Sequence, residues 1–172
     1  KFYSREICSC FSNNSLRLLK TRIGVKYIAM MEDEVFLKSI NIAKWNIYVV
    51  ALADCAFYVF SYLISEKNLK KNDCKEIFLN ILENEKENGL SDEIFERGKN
   101  NFLERLDKVN FSKYHLNDPF KESGQALYYW SPIADELKSL DKKIVLNSIH
   151  LKWGLMKDCL LYTSDAADEL LC

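Results

Sequence analysis

The sequence is poor in the residues that punctuate β structure and in those that perform most side-chain chemistry. Five glycines and two prolines in 172 residues leave little turn chemistry for a many-stranded sandwich or barrel. Histidine occurs only as His115 and His150, without a His-Glu-x-x-His motif or the Glu-x-x-His ligand pair of a di-iron bundle. There is no Gly-x-Ser-x-Gly elbow and no glycine-rich loop to cradle phosphates. Cys8-Ser9-Cys10 has the wrong spacing for a zinc knuckle and lacks a second pair. Leu69 to Glu76 lacks the Asp/Asn/Gly loop of a calcium site. No catalytic residue, metal or cofactor is therefore assigned. With 24 Lys plus Arg against 25 Asp plus Glu, the formal charge is -1, so nucleic acid is not an expected partner.

What is present suits one folded domain. The chain is 48% hydrophobic and 28% charged, outside the range of disordered and low-complexity sequences. Its charge is uneven: residues 1–29 hold six basic groups and one acid, a net of +5, leaving -6 from Met30 onward. Residues 1–29 read either as a basic arm able to meet phosphates or an anionic membrane surface, or as non-native sequence preceding a start at Met30 or Met31. No secretory signal is readable near Cys8–Phe11. At the other end, Cys159 to Glu169 reads CLLYTSDAADE, which looks like a translated sequencing-library adapter. Residues 159–172 are thus expected to be a non-native tail, with 30–158 a helical domain truncated at its C-terminus. Of the six cysteines at 8, 10, 55, 74, 159 and 172, none suggests a disulfide framework. Cys55 reads as a small buried hydrophobe.

The hydrophobic pattern predicts an all-α fold: an irregular bundle of about five to six helices around a central apolar helix. A weak helix is expected over Leu16–Lys38, interrupted at Gly24. The central helix is expected over Ile40–Ile64; its core, Ile47–Ile64, carries one formal charge, Asp54. At about 1.5 Å per residue that core spans roughly 27 Å, which matches either a small bundle or a bilayer. Asp73 is expected to cap the next helix with Glu76, which buries Ile77, Phe78, Ile81 and Leu82 and stops at Asn88-Gly89. Ser91 opens a further helix with a stripe of Ile94 or Phe95, Phe102, Leu103 and Leu106, and Gly98 either admits a close neighbour or weakens the helix. The short connection predicts that these two helices are antiparallel. Val109–Glu122 reads as a connector pinned by Phe111, Tyr114 and Phe120. Ser123 is expected to cap a short helix, and Ser131-Pro132 to start a last one with Ile133, Leu137, Leu140, Ile144 and Leu151 inward.

Asp54 is the most informative polar residue, because an apolar surrounding holds a carboxylate only when it is protonated, paired or hydrogen-bonded. Tyr58, one turn later, and Trp45 or Trp153 are the expected donors. His115, in the connector, is the better placed histidine for function, whereas His150 reads as structural. Tyr128, Tyr129 and Trp130 form either a partner-binding face or core filler. The resulting expectation is a cytoplasmic helical domain for protein–protein interaction or scaffolding, with a protein partner. Its alternative is a single-pass or membrane-associated protein in which helix 47–64 spans or lines the bilayer. A small helical enzyme using His115 or Asp54 is the third reading.

Overall fold

The computed structural model describes residues 27–67, 70–117 and 119–136, together with 138–140, 142–143, 146–147 and 154. The basic arm up to residue 26, His150, Trp153, the tail 159–172 and Cys8, Cys10, Cys159 and Cys172 lie outside them. The described chain is all-α. Its helices are α1 (Tyr27–Met30), α2 (Glu34–Lys67), α3 (Lys71–Asn84), α4 (Asp92–Lys108) and α5 (Lys121–Trp130), with a 3-10 turn at Tyr114–Leu116.

The expected weak helix over Leu16–Lys38 is divided after Met30. The dividing signal is Asp33, whose carboxylate accepts from the backbone N–H of Val35 at 2.8 Å and of Phe36 at 3.1 Å, the bonding of a helix N-cap. From there α2 runs for 34 residues, about 51 Å, and begins before the expected Ile40. It is the central element, touched by α3, α4, α5 and the 3-10 turn. Ile47, Tyr48, Ala51, Ala53, Asp54, Phe57 and Ser61 on it are almost completely enclosed.

Helix α3 starts at Lys71 rather than after an Asp73 cap: Asp73 lies in the first turn, where its carboxylate accepts from the Lys70 N–H at 2.9 Å. Its buried face is Cys74, Phe78 and Leu82, while the expected core residue Ile77 is exposed. The turn to α4 passes through Gly89 at φ +99°, a conformation that suits glycine. Ser91 caps α4 as expected, its hydroxyl accepting from Ile94 N–H at 3.4 Å. The α3–α4 pair is antiparallel, as shown by contacts that descend one helix while climbing the other: Lys71 with Asp107 at 3.3 Å, Phe78 stacked on Phe102 at 3.7 Å, and Lys86 over Phe95 at 3.9 Å.

Helices α2 and α4 run parallel. Asn46 meets Arg97 and Asp54 meets Arg105, so both contacts join residues 51 apart. Gly98 permits their approach, since a Cβ built there would lie 2.2 Å from Val49 Cγ1; of the two sequence readings of Gly98, close approach is the one realised. Phe102 is sandwiched between Phe78 and Phe57, the latter at 4.8 Å with the rings within 1° of parallel, which locks three helices through one side chain. The connector is pinned by its aromatic residues: Phe111 and Tyr114 meet the Phe57 ring edge-on at 6.2 and 5.8 Å, and Phe120 is buried. After Ser131-Pro132 the described residues between 135 and 147 are helical. Leu140, expected inward, is 75% exposed; Leu137, Ile144 and Leu151 lie outside the described residues.

Candidate functional site

The centre of α2 holds the polar cluster that organises the fold. Asp54 is completely enclosed. Its Oδ1 is paired with Arg105 Nη2 from the last turn of α4. Its Oδ2 accepts from the backbone N–H of Ser123 at 2.8 Å and from the Ser123 hydroxyl at 2.5 Å. Tyr114 lies beside both, its hydroxyl 3.3 Å from Asp54 Oδ1 and 2.6 Å from the Pro119 carbonyl. One phenolic proton serves one short bond, so the hydroxyl donates to Pro119 and accepts from Arg105 Nη2 at 3.4 Å. The guanidinium also lies over the Phe57 ring, 5.0 Å from its centroid, a cation–π contact.

The expectation that Asp54 is satisfied by a neighbouring helix holds, with different partners. The donors are Arg105 and Ser123, brought from α4 and α5, with the Tyr114 hydroxyl of the connector beside them, whereas Tyr58 packs against Phe120 at 5.5 Å and Trp45 against Tyr48 at 5.7 Å. Ser123 is not an N-cap: it sits in the first turn of α5, which begins at Lys121, and its two donors face Asp54. Enclosure is the largest influence on Asp54 and raises its carboxyl above the ordinary carboxylate range, while the Arg105 charge and the Ser123 hydrogen bonds pull it down. Burial works against the Arg105 charge, yet Asp54 more than restores it and holds Arg105 protonated. Burial, then the Asp54 charge, push the Tyr114 hydroxyl above its usual value.

A second polar knot lies one turn from the C-terminal end of the apolar segment. His115 Nδ1 is 2.7 Å from Ser61 Oγ, and the His115 backbone N–H donates to the same oxygen at 3.0 Å. Ser61 Oγ in turn donates to the Phe111 carbonyl. Because the hydroxyl proton is directed at Phe111, Nδ1 must carry the proton it shares with Ser61. That is the reverse of the arrangement in which a histidine draws a proton from a serine nucleophile. The knot fastens the connector to α2. Asp54 and Ser61, two turns apart on α2, are each closed off by protein; an enzyme reading calls for a concave pocket that joins Asp54, His115 or His150 with the tyrosines, and His150 lies outside the described residues.

Among the described residues, cavities open at the surface on both sides of α5. One, of about 550 Å³, lies beside the C-terminal half of α5 and is lined by Tyr128, Tyr129, Trp130, Gln125, Lys142 and Leu146. Tyr129 is 70% exposed there, and Trp130 lies under the Arg97 guanidinium at 5.2 Å. The other, of about 330 Å³, lies between the end of α4 and the start of α5, with Arg105, Lys108, Lys113 and Lys121 in its wall together with Glu122 and Tyr114. Arg105 Nη1 is buried without a hydrogen-bond partner, a deficit of about 1–3 kcal/mol for a neutral group and more for a charged one.

No family model, curated protein or solved structure matches the chain. Function must therefore be argued from these surfaces. No group of three or more His, Cys, Asp and Glu side chains able to hold a metal occurs among the described residues.

Arg105 and Ser61 were not singled out from the sequence, and Ser123 was read only as a helix cap. Arg105 carried a readable signal: it follows Phe102 by three positions and precedes Leu106, placing a lone cation at the border of an apolar stripe. Ser61 carried a weaker one, its two-turn spacing from Asp54.

Proposed function

We propose that this chain is a helical interaction domain that engages a protein partner through the aromatic end of α5. The observation that carries the reading is the outward Tyr129 beside Tyr128, Trp130 and a cavity of about 550 Å³, since tyrosine and tryptophan dominate interface hot spots. The enclosed polar centre supports the same reading, because Asp54 and Ser61 serve cohesion and leave surface residues for recognition. The test compares native complexes formed by the wild-type chain and by Tyr129→Asp in its own cell, with thermal melts confirming equal folding. A stoichiometric complex whose affinity falls about 30-fold or more in the variant supports the domain. Equal behaviour of the two proteins overturns it.

A second reading, membrane association, is supported by a separate observation. Glu34–Ile64 is long and apolar enough to cross a membrane by length and composition, with a mean hydropathy of 1.9. Near its start, Val35 and Ile42 are exposed two turns apart on one face. Against spanning, 67% of its apolar window is enclosed by the other helices, and immersion in lipid would strip Arg105 from Asp54. Alkaline carbonate extraction separates the readings: retention in the pellet favours the membrane, and release favours the interaction domain.

A further inference from the structure

We propose that the basic cavity between the end of α4 and the start of α5 binds a phosphomonoester group. Four cations, Arg105, Lys108, Lys113 and Lys121, share its wall with a single carboxylate, Glu122. Two of them have local duties. Arg105 pairs with Asp54, and Lys108 reaches Glu104 at 2.6 Å. Both also complement the negative end of α4. Lys113 and Lys121 have no such partner within ion-pair distance among the described residues, so two like charges share a concave surface whose one described carboxylate is Glu122. Such an arrangement repels itself unless an anion is present.

Further features favour a phosphate over a simple counter-ion. Asn110 and Asn117 add side-chain amides to the same wall, able to donate to ester or sugar oxygens. The Lys121 and Glu122 positions form the opening turn of the ten-residue α5, whose positive end faces the same region. A volume of about 330 Å³ admits a phosphate together with a small organic group.

A phosphomonoester can belong to a soluble metabolite or to a lipid headgroup, and one experiment with two arms separates them. Calorimetric titration of the full chain uses glycerol phosphate and inorganic phosphate. Flotation uses phosphatidylcholine vesicles with and without phosphatidate. Each arm includes Lys113→Gln/Lys121→Gln and a charge-matched control, Lys38→Gln/Lys75→Gln, all four being exposed residues. Saturable one-to-one binding of glycerol phosphate, weakened about tenfold or more by the cavity variant and not by the control, establishes a soluble ligand. The same pattern confined to phosphatidate vesicles establishes a lipid headgroup. Absence of binding in both arms, or equal weakening by the two variants, overturns the site.

Discussion

Replacing Arg105 with methionine removes the cation from the centre of the domain, together with its contact over the Phe57 ring, and keeps an apolar stem of similar bulk. Asp54 then remains enclosed with Ser123 and Tyr114 as neighbours. It has two options, to stay ionised without its partner or to take up a proton. The first costs about 3–5 kcal/mol. The second costs about 1.4 kcal/mol for each pH unit above an ordinary aspartate value of about 3.9, hence about 4 kcal/mol at pH 7 and about 1.5 kcal/mol at pH 5. The cheaper route sets the loss, so Arg105→Met should destabilise by about 3–4 kcal/mol at pH 7 and by about 1–2 kcal/mol at pH 5. The sign follows from the direction of the shift. Burial already raises Asp54 in the wild type while the Arg105 charge lowers it; without Arg105 the folded value rises further, so the variant's native state holds the proton over a wider range and loses stability relative to wild type as pH rises. Urea unfolding of wild type and variant at both pH values measures the difference. A double variant, Asp54→Asn/Arg105→Met, should be less destabilised at pH 7 than Arg105→Met alone and should lose the pH dependence. A deficit equal at the two pH values, or larger at pH 5, would refute the reasoning.

The remaining predictions address packing and the buried thiol. Gly98→Ala forces a methyl group into Val49 and should destabilise by about 1–3 kcal/mol; adding Val49→Ala should recover part of that loss in the same denaturation assay. Phe102→Ala removes the middle ring of the stack between Phe57 and Phe78 and should cost about 3–5 kcal/mol, read as a lowered urea midpoint. Burial pushes the Cys74 thiol up to about 12, so it should resist alkylation in the native protein. As the folded value lies above the unfolded one, stability should fall by about 1.4 kcal/mol between neutral pH and pH 10 from this group, and Cys74→Ala should abolish that component in alkaline unfolding curves.

The architecture was readable where periodicity and local chemistry agreed. The apolar run of α2 and the Ser91 cap each carry a short-range signal, and the antiparallel α3–α4 pair follows from their short connection; α3 itself ends at Asn84, ahead of the expected Asn88-Gly89 stop, and Gly89 falls in the turn that follows. Helix starts at Glu34 and Lys71 were displaced because a carboxylate within two or three residues can act either as cap or as first-turn acceptor, and Asp73 took the second role; the start at Lys121 was displaced because Ser123, expected as the cap, turns its donors to Asp54 instead. Ile77 and Leu140 were misplaced because helical spacing marks a face without saying how far a neighbour extends over it. The need of Asp54 for a partner was legible from burial alone. Its partners were not, since Arg105 and Ser123 are 51 and 69 residues away and their meeting depends on the parallel register of α2 and α4. Likewise, His115 was picked out as a loop histidine, but its bond to Ser61 arises only when the connector folds back on α2. The basic cavity escaped notice because its cations come from α4, the connector and α5, where they read as separate solvated charges.

The separation between Asp54 and Ser123 also has a temporal meaning. At synthesis rates of about 5–20 residues per second, the acid leaves the translation machinery about 3–14 s before the last residue that secures it. Until Arg105 arrives, 51 residues after the acid, the nascent apolar segment carries an unpaired charge at its middle, which opposes both early collapse and transfer into lipid. The polar centre is therefore complete only once its distant serine has arrived.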